Sequence, residues 1–142
     1  MSYCTQADIE KLIPVKELVR LTEDGNGTAV VTAVVDDAIA RSSSLIDSHC
    51  ARQYQVPFAL PAPAVICDLC AVLAAYELQA RRPQTMPEEW RRRRDDVMKT
   101  LLLIAKGDVV LSGAISAQGE PVTVPVASFV SSGRLFTRGA IQ

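Results

Sequence analysis

The residues of this chain best suited to chemistry are four cysteines, a single histidine and a run of four arginines. Cys67 and Cys70 form a C-x-x-C pair. A zinc ion takes four N, S or O ligands in a tetrahedron, and Cys4, Cys50 and His49 are the residues that would complete such a set. The pair falls inside a stretch read as helix rather than on a knuckle turn, and no second C-x-x-C exists. Free cysteine is among the most buried residue types, so packing in a core leads over metal or redox chemistry. His49 would need a nucleophile beside it to act as a general base. Its neighbour Cys50 points about 100° away on a helix, and Asp47 lies on the wrong side. Asp36-Asp37 and Asp95-Asp96 fail as carboxylate pairs for the same geometric reason. There is no Gly-rich phosphate loop and no G-x-S-x-G elbow. The expectation is a protein without a catalytic site, a metal or a cofactor, and so not an enzyme.

Arg91, Arg92, Arg93 and Arg94 are the strongest charge signal. One reading is a strip against phosphate, since guanidinium groups pair well with phosphate oxygens. The other is a solvated or inter-subunit face neutralised by ion pairs four residues apart. Glu88–Arg92, Glu89–Arg93, Arg91–Asp95 and Arg92–Asp96 have that spacing. No aromatic or base-reading pattern accompanies the run, which favours the second reading and leaves a DNA-binding or regulatory role as the alternative.

The elements that must position these residues are mainly helical. Thr5 and Asp8 make a capping box for a short helix that Pro14 ends. Val15 to Leu21 is a second short helix, with Val15, Leu18 and Leu21 (or Val19) inward. Residues 23–27 are a loop. From a cap at Thr28, a long helix is expected to reach about Arg52, roughly 37 Å at 1.5 Å per residue. Val31, Val35, Ala38, Ser42, Leu45 and His49 mark its face. Pro57, Pro61 and Pro63 make a stiff connection. Ala64 to Ala80 is then a helix apolar almost all round, with Asp68 and Glu77 its only charges. Such a helix is buried on all sides, and a chain of 142 residues has little to cover it with. A subunit contact through Val65, Leu69, Val72, Leu73 and Tyr76 is expected to help. Pro87 opens a last helix to Lys106, with Trp90, Val97, Leu101 and Ile104 inward and Gly107 as its C-cap.

The fold class is thus mainly α: a compact bundle of about four to five helices with a long central helix. Residues 1–107 form the helical domain. Residues 108–142 form an extended or β arm, rich in Gly, Ser, Val and Thr. Val122 and Val124 alternate like a strand, and Pro125 confines it to an edge. Val122, Val124, Val126, Phe129, Leu135 and Phe136 are the side chains with which this arm would hold a partner.

The net charge of −1 decides little, but its distribution is uneven. Residues 1–50 hold eight acidic side chains against four basic, and residues 81–106 hold eight basic against four acidic. Copies meeting head to tail would bring opposite charges together. No segment has the roughly 20 apolar residues that span a bilayer. Residues 1–10 lack the pattern of a signal peptide, so cytosolic synthesis with reduced cysteines is expected.

The order of motifs adds a resemblance. Tyr3-Cys4-Thr5-Gln6-Ala7-Asp8-Ile9 is followed by Glu17-Leu18-Val19-Arg20-Leu21-Thr22, Ala38-Ile39, Ile46-Asp47 and Ala51-Arg52-Gln53-Tyr54-Gln55-Val56-Pro57. Pro63, Ala75-Tyr76-Glu77-Leu78 and Ile104-Ala105-Lys106-Gly107 come next. Together they cover most of residues 3–111. In this order they resemble the small head-tail connector, adaptor or head-completion proteins of Mu-like tailed phages and prophages. The chain departs from that pattern where Gln53 separates Arg52 from Tyr54, and where His49-Cys50 replaces an aromatic-apolar pair. The resemblance implies a virion protein of the neck, assembled in the host cytoplasm. It implies a ring of about twelve copies below the portal protein that extends the DNA channel. The ring would offer a docking surface to the tail or a stopper and lie close to packaged DNA, with no membrane partner.

Overall fold

The computed structural model describes residues 2–123. Five helices account for the architecture: α1 (Gln6–Glu10), α2 (Val15–Thr22), α3 (Thr32–Cys50), α4 (Ala64–Ala80) and α5 (Glu88–Lys106). A short 3-10 turn, Pro83–Thr85, joins the last two. No continuous strand forms among the described residues, and no helix among them is long and apolar enough to cross a membrane.

The central element is α4, which packs against each of the other four helices. Its composition makes this necessary, because an apolar surface running right round a helix needs cover from every side. Ile66, Cys70, Ala71, Leu73, Ala74, Ala75 and Leu78 are buried. The small residues among them let α3 and α5 approach closely. From α3 the core receives Val35, Ala38, Ile39, Ser42, Ser43, Ile46 and Cys50. From α5 it receives Trp90, Val97, Leu101 and Ile104, the face expected from their spacing.

Helix α3 is the element that differs most from expectation. It begins at Thr32, not Thr28, and its 19 residues span about 28 Å. The cause is local. Thr22, buried at the end of α2, donates its hydroxyl hydrogen to the Leu18 carbonyl at 2.9 Å and accepts the Val31 N–H at 3.1 Å. Val31 is thereby held extended as the N-cap residue (φ −83°, ψ 98°). The buried face also ends on Cys50 and leaves His49 half-buried at the rim. In α2 the inward residues are Leu18, Leu21 and Thr22, whereas Val15, placed first after Pro14, is 51% exposed.

Both ends of the bundle are closed by specific contacts. Thr5 and Asp8 form the capping box of α1. Gly107 ends α5 in the left-handed region (φ 86°), which a residue with a Cβ enters only under strain. Residues 108–123 then fold back over the exit of α3. Gln55 N–H donates to the Ile115 carbonyl at 2.9 Å, Ala117 N–H to Gln53 at 2.9 Å and Leu111 N–H to the Tyr54 hydroxyl at 2.9 Å. Val122 N–H returns to Ala114 at 2.9 Å. Val122 therefore packs on the chain's own core edge. Val124, Val126, Phe129, Leu135 and Phe136 of the expected arm lie outside the described residues.

Replacing Thr22 with Val keeps the shape but leaves the Val31 N–H without a partner. A loss of about 1–2 kcal/mol in unfolding free energy is expected, measured by urea denaturation, with helicity at low denaturant unchanged.

Candidate functional site

The side chains singled out for chemistry come together only in part. Cys4 and Cys70 meet: the Cys4 thiol donates to the Cys70 sulfur at 3.3 Å, and both are buried. Ser43 Oγ lies 3.5 Å from the Cys70 sulfur. The Cys4 hydrogen bond, with help from Ser43 and the backbone at Tyr3 and Cys4, holds the Cys70 thiol below its ordinary range. The same contact, with burial, pushes Cys4 up. Cys67 is half-buried, with its sulfur 3.9 Å from Asp8 Oδ2. Cys50 is buried at the far end of α3, where burial pushes its thiol up to about 11. Among the described residues no three His, Cys, Asp or Glu side chains converge as a metal site would require. His49 stands apart from all of the thiol contacts.

The short segment carrying Cys4 is seated by its neighbour. The Tyr3 hydroxyl donates to the Asp47 carboxylate and accepts the Phe58 N–H at 3.0 Å. Its ring meets Phe58 edge-on, with centroids 5.7 Å apart. Burial and the Asp47 hydrogen bond raise the Tyr3 hydroxyl well above its usual range, so it stays protonated and donating.

The four arginines of α5 do not form one strip, because successive residues turn 100° about a helix axis. Arg93 pairs with Glu89 and lies over Trp90, 4.9 Å from the ring centre. Arg94 lies over Tyr76 of α4 at 5.2 Å, and 3.9 Å from Asp95. Arg91 and Arg92 are exposed, and Arg91 reaches Glu88 at 3.5 Å. Of the expected four-residue pairs only Glu89–Arg93 forms. Glu88 is taken by Arg91 and Asp96 by Lys99, each at a spacing of three residues.

Two arginines just past the end of α4 fasten it to α2. Arg81 Nη1 donates to the carbonyls of Leu21 at 2.7 Å and Thr22 at 3.0 Å, and its Nη2 reaches Asp24 at 2.9 Å. Arg82 donates to the carbonyls of Arg20 and Glu23, each at 2.9 Å. Both satisfy the open carbonyls at the end of α2. Their carbonyl partners lie about 60 residues away in sequence, so no local pattern announces them.

The surface left over is apolar along one side. Val65 is 47% exposed, while Leu69, Val72 and Tyr76 are half-buried. These four recur at i, i+4, i+7 and i+11, so they form a single face of α4. Leu73, expected on that face, is 2% exposed and belongs to the core instead. It stands one position from Val72 and faces the helices that cover α4. Arg94 closes the Tyr76 end of the face, so the apolar strip runs into the arginine-bearing side of α5. Leu102 (48% exposed), Leu103 and Val110 add an outward apolar group near the end of α5. They are off the buried face of Trp90, Val97, Leu101 and Ile104, a sign that could have been read from spacing alone.

A family described as Bacteriophage Mu, Gp36 matches residues 3–129 of the chain. The chain belongs to that family. It is accordingly a Mu-like phage protein of the structural or assembly kind. Curated proteins show no match to it. The family match also runs over the two departures noted above, and the Gp36-family chain accommodates both. Gln53 donates to the Ala105 carbonyl at 3.3 Å, which ties the exit of α3 to the end of α5. Cys50 fills the core position beside His49.

Two outcomes are expected here. Arg81→Met lowers stability by about 2 kcal/mol, since charged hydrogen bonds to buried-edge carbonyls are lost, while Arg92→Met stays within about 0.5 kcal/mol; chemical denaturation distinguishes them. Asp8 is held down to about 2 from 3.8, first by Lys11 and then by Thr5. A depressed carboxylate stabilises the fold above its unfolded value, and that contribution is lost as pH falls from about 4 toward 2. Asp8→Asn should flatten this part of the melting temperature against pH.

Proposed function

We propose that this Gp36-family chain is a head-tail connector subunit without enzymatic activity. Copies of it form a closed ring, of about twelve, below the portal protein. The ring extends the DNA channel and gives the tail or a stopper protein a surface to dock on. The observation that carries this reading is the outward apolar face of α4, where Val65 is exposed and Leu69, Val72 and Tyr76 are only half-buried, on a helix whose opposite side is packed in the core. An apolar face of this kind is a recurring mark of contact with another chain. The arginines at its edge and the acid-rich first 50 residues suit a heterologous contact, in which unlike surfaces meet and a ring closes. Packaged DNA is then a near neighbour, met without sequence specificity.

A DNA-binding or regulatory protein working through Arg91 to Arg94 has less behind it. Arg93 and Arg94 lie on aromatic rings, which leaves Arg91 and Arg92 directed outward.

Light scattering and electron microscopy of the purified chain, alone and with portal protein, test the proposal. The expected result is a closed ring or a portal-bound ring for the natural chain. Val65→Asp should leave the circular dichroism and melting temperature of the subunit nearly unchanged and abolish the ring. A chain that stays monomeric and ignores portal, or a Val65→Asp ring as stable as the original, would contradict it. Salt-sensitive DNA retention lost on Arg91→Gln and Arg92→Gln would favour the regulatory reading instead.

A further inference from the structure

The thiol pair of Cys4 and Cys70 is used by nothing described so far. It joins two parts of the chain far apart in sequence. Cys4 belongs to the segment ahead of α1, and Cys70 sits in the middle of α4, the helix on which the bundle is built. Their sulfurs lie 3.3 Å apart, inside the non-bonded contact distance of two sulfur atoms and short of a covalent bond by little more than 1 Å. Neither side chain has room to turn away, because Cys4 is 3% and Cys70 0% exposed. Tyr3 clamps the segment on one side through Asp47 and Phe58, and the Tyr3 N–H reaches Ser43 Oγ at 3.4 Å. The two thiols are thus held facing each other before any bond exists.

We propose that Cys4 and Cys70 are an oxidation site that takes a small symmetric disulfide as its co-reactant and closes to an intramolecular disulfide. The balance is simple. The Cys70 thiolate attacks one sulfur of the small disulfide, forms a mixed disulfide and expels one small thiolate. The Cys4 thiolate then attacks the Cys70 sulfur and expels the second. The protons given up by Cys4 and Cys70 go to the two released thiolates. Two protein thiols are oxidised to one disulfide, and one small disulfide is reduced to two small thiols.

The Ser43 hydroxyl and the Cys4 thiol stabilise negative charge on Cys70, which assigns it the attacking role. Cys67 is the more exposed thiol, but its partial burial, with Asp8 and Asp68 beside it, disfavours its thiolate. Exposure alone therefore does not choose the site. Because both sulfurs of the pair are enclosed, exchange waits for the Tyr3-Cys4 segment to lift from α4, and a slow reaction is expected. The bond suits a phage protein. Thiols stay reduced in a cytosol and oxidise outside it, so the subunit would assemble in its open form and be locked once the particle leaves the cell. The linkage would close the chain from residue 4 to residue 70, and a long loop is where a cross-link constrains the unfolded chain most.

The test uses the full chain, incubated with excess oxidised glutathione at pH 8. The expected product is 2 Da lighter, has two free thiols in place of four, and yields a Cys4–Cys70 linked peptide on digestion without reductant. Its melting temperature should rise by roughly 10 °C and fall back on reduction. Cys67→Ser and Cys50→Ala should still form the link, and Cys4→Ser should not. Digestion of the natural chain reads the linkage directly, so the result stands even where a variant folds poorly. Four free thiols after incubation, glutathione stopped at Cys67, or a link between any other two cysteines would overturn the proposal.

Discussion

Everything in this fold depends on covering α4. The helix carries apolar side chains round almost its whole circumference, and apolar surface is favourable only out of water, at about 25 cal/mol per Å². One neighbouring helix cannot hide such a cylinder. The chain meets the demand with α3 and α5 along its length and the short α1 and α2 at its side. The segment ahead of α1 adds Tyr3 and Cys4 to the same core. What these elements leave open is a strip from Val65 to Tyr76. The strip is the natural remainder of a small chain wrapped round an apolar helix, and it is the surface on which the assembly reading rests.

The polar contacts serve the same end. Thr22 starts α3 late, and Arg81 and Arg82 satisfy the carbonyls at the end of α2, so that α2 stays against α4. Gln53 and Tyr54 connect the exit of α3 to α5 and to the segment after it. Each is a long-range hydrogen bond that fixes where an element stops, while the apolar contacts fix which face it turns inward. The arginines of α5 divide between these roles: Arg93 and Arg94 finish the packing of Trp90 and Tyr76, and Arg91 and Arg92 face outward.

Much of this was legible from the residues. The bounds of α4, the inward face of α5, the Thr5–Asp8 box and the Gly107 cap follow from patterns within a few residues of one another. The start of α3 was not legible, because it is decided by Thr22, nine residues before Val31. The meeting of Cys4 with Cys70 lies across 66 residues and gives no local sign. Leu73 was misplaced for a different reason. In a helix that is apolar all round, periodicity no longer marks which side is inward. The arginine run divides between packing and solvent because four adjacent residues on a helix cover most of a full turn.

The central claim is that the open face of α4 is covered by another copy of the chain in a ring at the junction of head and tail. Electron microscopy of assembled particles, with the chain carrying a small compact tag, addresses it most directly. The account predicts a closed ring of tag density at that junction, with α4 of each copy facing its neighbour. Tag density elsewhere in the particle, or a single copy with α4 facing solvent, would contradict it.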